Sequence, residues 1–135
     1  MKFPMICKVG AVGTALLLAL APSPGHAVSP QDFTAGTTGQ FVDLCSAPAD
    51  SPLATAALDF CYGFAQGAVV VQLAHDAASR GGTRLFCLPT PLPSRAQTMA
   101  EFVQWARRSP AHMGAPAADG LFRFLGERFP CPKSR

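Results

Sequence analysis

Charge is scarce in this chain and lysine nearly missing. Only 14% of the 135 residues are Asp, Glu, Lys or Arg. Of the 11 Lys and Arg, Lys2 and Lys8 lie in the first eight positions, leaving nine against eight acids, with Lys133 the last lysine. That balance offers no dense basic face, so nucleic acid and anionic membranes are poor partners. No segment alternates apolar and polar with period two, which argues against strands. Gly-x-Ser-x-Gly and Cys-x-x-Cys are both missing, and the acids are scattered singly, so neither a hydrolytic constellation nor a zinc knuckle is set up. His75 and Asp76 are neighbours in sequence but point roughly 100° apart on a helix, which makes no dyad. His75 and His112 are not spaced as ligand partners. The sequence implies no enzyme, no metal and no cofactor.

What is present begins with a leader. Lys2 and Lys8 form a basic start, and Ala11 to Ala21 is an apolar run too short to span a bilayer. Gly25-His26-Ala27 supplies the small residues that signal peptidase requires. Cleavage after Ala27 is expected, which places the remainder in the periplasm with no integral membrane segment. Cys7 leaves with residues 1–27. Cys45, Cys61, Cys87 and Cys131 remain, an even number in an oxidising compartment.

Residues 28–38 are polar and rich in Gly and Thr, and read as a flexible entry segment. A short helix is expected over Gly39–Cys45 with Phe41 and Leu44 inward, or from near Asp32 if the Thr/Gly run is helical. Ser51-Pro52 reads as an N-cap followed by a first-turn proline. From there a long second helix should reach Ser79, with Leu53, Ala57, Phe60, Phe64, Ala68 and Val71 on one face. The Val69-Val70-Val71 run widens that face and predicts the central, most buried element. Gly81-Gly82 ends it. Ser94 and Gln97 fit a capping box for a third helix reaching Arg108, with Ala96, Met99, Val103 and Ala106 inward. Ser109-Pro110 opens a last stretch, ragged to Pro116 and firm over Ala117–Arg128. Its core side is Leu121, Phe122, Leu125 and Phe129, and Asp119, Arg123 and Glu127 form a charge ladder. The fold class is all-α, a small disulfide-stapled bundle of about four helices spanning 39–131, with 132–135 a tail.

Bundle polarity chooses among the three possible cysteine pairings. Cys45 ends the first helix at the pole where the second begins, close to Cys61. Cys87 follows the far end of the second helix, to which the last helix returns Cys131. Cys45–Cys61 and Cys87–Cys131 therefore need the least distortion. Other features stay open between two readings. Gly63-x-x-x-Gly67 lets a neighbouring helix approach, or resembles a membrane dimer motif. Trp105 and Tyr62 anchor a partner surface, or are buried in the bundle.

Phe60-Cys61-Tyr62-Gly63-Phe64-x-x-Gly67, Phe86-Cys87-Leu88-Pro89, Ser109-Pro110-Ala111-His112-Met113 and Phe129-Pro130-Cys131, with Leu44-Cys45-Ser46 before them, form a connected pattern. It resembles the Rap/Tai-type immunity proteins of type VI secretion systems over about Gly39 to Cys131. The departures are Ser109-Pro110-Ala111, where that family usually has His-Pro-Glu, and Cys61-Tyr62-Gly63-Phe64, where it has Cys-x-Gly-Tyr. The resemblance implies a periplasmic helical protein that does no chemistry and instead covers the catalytic cleft of a peptidoglycan amidase toxin. The expected contact is the corner carrying Arg107, Arg108, Ser109, Pro110, His112 and Met113, where a proline-stiffened turn holds two guanidinium groups. The alternative for Arg107 and Arg108 is plain solvated charge at a helix C-terminus. Dimers are also implied, with Phe124 as a candidate contact. A standalone envelope protein, a stress chaperone or a carrier of small ligands or lipids, is the competing function. An adjacent amidase gene would separate the two.

Overall fold

The computed structural model describes residues 27–79 and 81–132, so most of the leader and the last three residues of the tail lie outside it. Within them the chain forms five α-helices: α1 (Thr38–Cys45), α2 (Ala54–Ala78), α3 (Arg95–Arg107), α4 (Pro110–Gly114) and α5 (Ala117–Arg128). A 3-10 turn at Pro30–Thr34 precedes them. No strand occurs among the described residues. The protein is an all-α bundle with one long helix and two disulfides.

The centre of the bundle is α1, a helix of only eight residues. Thr38, Phe41, Val42 and Leu44 are completely buried, because α1 touches α2, α3, α4, α5 and the 3-10 turn together. α1 remains amphipathic, with Gly39, Gln40 and Asp43 half-buried, and it buries Thr38 along with its apolar residues. Its first turn is closed by a capping box: Thr37 Oγ1 accepts from the Gln40 N–H at 3.2 Å, and Gln40 Oε1 accepts from the Thr37 N–H at 3.1 Å. The Thr38 N–H donates to the Ala115 carbonyl at 2.7 Å and its hydroxyl to the Pro116 carbonyl at 3.2 Å, fastening α1 to the start of α5.

The expected loose segment before α1 is instead packed. Val28, Asp32 and Ala35 are buried, and Asp32 Oδ2 accepts from both the backbone N–H (2.7 Å) and the hydroxyl (2.9 Å) of Ser29. Those two bonds, with the Asp32 N–H donating to the Ser29 carbonyl at 3.1 Å, offset the entropy of ordering the turn. Ser51-Pro52 also behaves differently. Residues 48–53 make turns, with the Ser51 N–H donating to Pro48 and the Ala54 N–H to Ser51, and α2 starts at Ala54 with Leu53 at its N-cap. Ser94 does cap α3, but the Gln97 side chain reaches forward to Glu101 (3.0 Å) and leaves the box half made.

Burial in α2 is confined to its first half, at Ala54, Ala57, Cys61 and Ala65. Beyond Ala68 the helix leaves α1, and Val70, Val71 and Leu73 are exposed at 56%, 70% and 42%. Of the apolar run that predicted burial, Val69 packs on the edge of the core and Val70 and Val71 are surface. By length and apolarity alone α2 could cross a bilayer, yet its packing on α1 and its disulfide make it a bundle helix.

α3 and α5 cover the opposite side of α1. Phe102, not foreseen as inward, is fully buried, with Phe41 and Phe124 at 5.3 and 5.7 Å between ring centroids; Ala96, expected inward, is exposed. α5 buries a wider face than its Leu121, Leu125 and Phe129 stripe, because it meets α1 and α3 at once and adds Ala117, Gly120 and Phe124. Gly120 is where α5 comes closest to α1: a Cβ there would run into the Thr38 side chain. Only half of the expected ladder forms, the Asp119–Arg123 pair at 2.8 Å. Disulfides join Cys45 to Cys61 and Cys87 to Cys131, with Cα atoms 5.2 and 4.8 Å apart. The Cys87 N–H also donates to the Phe129 carbonyl at 2.8 Å, so the crossing and the chain end lie side by side.

Candidate partner-binding corner

Between α3 and α5 the chain turns through α4, which packs on α1 and α3 and forms a corner. α3 stops at Arg107 because Ser109 is extended (φ −144°, ψ 127°) and Pro110 supplies no N–H to continue the ladder. Pro110 occupies the first position of α4, where that missing donor costs nothing. Arg107, Arg108, Pro110 and Ala111 are exposed, whereas Ser109, His112 and Met113 are half-buried.

The half-buried members hold the corner rigid. The His112 ring lies flat on Trp105, with centroids 3.9 Å apart and planes 7° from parallel. Its Nδ1 is 3.2 Å from the Trp105 carbonyl oxygen. Trp105 is 95% buried in turn and donates its indole N–H to Glu127 on α5 at 2.6 Å. That bond uses the carboxylate expected in the ladder with Arg123. Met113 packs against Gly39, on the first turn of α1, and the Arg107 guanidinium donates to Ser46 Oγ at 2.8 Å. A second tie between α3 and α5 runs beneath, where Arg128 Nε meets Glu101 at 2.7 Å. The hydrogen bond from Arg128 holds the Glu101 carboxyl below the usual carboxylate range.

All six residues expected at the corner are therefore neighbours, but they divide into two groups. Arg107, Arg108 and Pro110 face solvent; Ser109, His112 and Met113 face inward and position them. Trp105 and Glu127 are part of the same support and carry no local signal. Trp105 and His112 are seven residues apart, which on an unbroken helix would share a face but lie about 10 Å apart along the axis; their rings stack at 3.9 Å because the helix is interrupted before Pro110 and the chain turns back.

Two other expectations meet the structure differently. Phe124 cannot be a dimer contact, since it is 97% buried against Phe102 and Trp105. Gly63 and Gly67 admit no neighbouring helix within the chain, since a Cβ at either would meet nothing within 4 Å. Among the described residues no three of His, Cys, Asp and Glu gather into a metal-sized cluster. His75 Nδ1 is 3.8 Å from Asp76 Oδ1, a contact between adjacent residues.

The model of one protein family, the Rap1a immunity proteins, matches residues 37–131, from the cap of α1 to the last disulfide cysteine. Neither a curated protein nor a solved structure shows significant similarity to the chain.

Proposed function

Because the chain belongs to the Rap1a immunity protein family, we propose that it is the periplasmic inhibitor of a peptidoglycan amidase delivered by type VI secretion. The observation that carries the reading is the rigid corner within the matched region. Inhibition of this kind needs no chemistry from the inhibitor. It needs a convex surface that enters the amidase cleft and is already in its bound shape, so that little conformational entropy is lost on docking.

The corner meets that requirement through the His112–Trp105 stack and the Trp105–Glu127 hydrogen bond. Arg107 and Arg108 then present two planar cations to carboxylates or carbonyls lining the cleft. Self-association belongs to the same proposal, and the α2 face bearing Gly63, Gly67 and Val71 replaces Phe124 as its contact. Both glycines leave room there for the backbone of a second copy.

Reversing both arginines (Arg107→Glu with Arg108→Glu) should leave helicity and melting nearly unchanged, since both side chains are exposed. Toxin binding should weaken by roughly 2–5 kcal/mol where those groups meet buried carboxylates. Unaltered protection of toxin-expressing cells by the double variant would remove the corner from the mechanism. Failure of the wild type to protect against an amidase encoded beside it would remove the function itself.

A further inference from the structure

On the side of α2 away from Gly63 and Gly67, the helix stands off α3 and α5 and leaves a groove of about 520 Å³. That volume lies within the roughly 300–1,000 Å³ of small-molecule sites. Val69 and Leu73 of α2 form one wall, Leu88 and Leu92 of the crossing form the other, and Met99 and Leu125 form the floor. Along α2 the lining extends from Tyr62 to Leu73, about 16 Å at the helical rise. An ordered water needs two to four polar partners, and this lining offers few, so water solvates it poorly.

Arg95 is the one charged residue of the lining. Its Nη1 donates to Gln66 Oε1 at 2.6 Å, and it has no carboxylate partner among the described residues. A neutral occupant lying over Arg95 would desolvate a cation without replacing its counter-charge, which is costly. An occupant with an anionic head and an apolar chain satisfies both parts at once. The polarity of the groove also sets its direction. Asp76 lies ten residues beyond Gln66 along α2 and outside the lining, which ends on α2 at Leu73, so the lining's one charge and with it a carboxylate head belong at the Arg95 end.

We propose that this groove binds a free fatty acid, its acyl chain between α2 and the Leu88–Leu92 crossing and its carboxylate on the Arg95 guanidinium. The proposal is independent of the corner and of any toxin, and the two could be lost separately.

The oxidised chain recovered from the periplasm, stripped of lipid, is titrated calorimetrically with laurate and in parallel with dodecanol. Saturable one-to-one binding of laurate is expected, at least about tenfold tighter than dodecanol, since a hydrogen bond to a charged group contributes on that order. Arg95→Glu should erase the preference and Arg95→Lys should retain most of it. Leu73→Glu should weaken both ligands. Arg95 and Leu73 are both exposed, so melting of all three variants should match the wild type. The proposal is overturned by a lack of saturable laurate binding, or by laurate binding that survives Arg95→Glu. It is also overturned by capture on anionic phospholipid vesicles without laurate binding, or by a dimer that Leu73→Glu dissociates and laurate does not, which would assign the groove to a second copy.

Discussion

Replacing Gly120 by alanine tests how closely α5 is seated on α1. An interior helical glycine normally costs about 0.5–1 kcal/mol relative to alanine, so the exchange should stabilise wherever space allows. At Gly120 it does not. The new methyl would lie 2.9 Å from Thr38 Cγ2 and 3.1 Å from its Cβ. Thr38 is fully buried and held through its backbone to Ala115 and its hydroxyl to Pro116, so it has nowhere to turn. Relieving the clash means separating the helices, at about 1–3 kcal/mol for overpacking, and losing the hydroxyl hydrogen bond, at about 1 kcal/mol. Less the propensity gain, Gly120→Ala should destabilise by roughly 1–3 kcal/mol. Urea unfolding followed by far-UV circular dichroism, with disulfides intact, reads this from the midpoint at constant slope. Gly67→Ala is the control: nothing lies within 4 Å, so it should stabilise the monomer by up to about 1 kcal/mol. Adding Thr38→Ala to Gly120→Ala should recover part of the loss, as expected of residues in contact. Equal effects at Gly67 and Gly120, or strict additivity with Thr38→Ala, would refute the close seating of α5.

The two disulfides should differ in weight. Removing Cys87–Cys131, whose ends are 44 positions apart in sequence, should cost about 4 kcal/mol, and removing Cys45–Cys61, 16 positions apart, about 3 kcal/mol in the loop-entropy model. Denaturant midpoints of the two double-serine variants give the order. Val71→Glu should turn any dimer into monomer in sedimentation velocity without altering the monomer's melting, because Val71 is 70% exposed; a dimer that persists would move self-association off the Gly63–Val71 face.

Helix existence was legible because apolar spacing, Ser109-Pro110 and the glycine pair after Ser79 are local signals. Which helix lies at the centre was not. α2, with its Val69-Val70-Val71 run, is longer and on average more apolar than α1, and hydropathy alone points inward there. Burial is decided by how many neighbours reach an element, and α1 is enclosed by five others despite its length. The Thr37–Gln40 cap has the same pattern as Ser94–Gln97, yet only the former closes in both directions. There, the forward reach of Gln97 to Glu101 competes with the box. At the corner, residue types and proline position were readable. The inward turn of His112 and Met113 was not, since it depends on Trp105 and Gly39, distant in sequence or separated by a helix break. Phe124 was misplaced for a related reason: a helix with two partners buries more than one stripe.

The two disulfides divide the chain into covalently closed and open parts. One ring contains residues 45–61, and the other contains residues 87–131, with all of α3, α4 and α5 inside it. The stretch from Tyr62 to Phe86 belongs to neither. It carries the glycine face and the α2 wall of the groove, so these surfaces sit on the one long span whose ends are tied but whose middle is not cross-linked. Local opening costs least where no ring must be strained and few apolar contacts are broken. The corner, enclosed in the larger ring, can therefore keep its shape while the outer half of α2 shifts, and whatever occupies α2 can come and go without loosening the opposite part of the molecule.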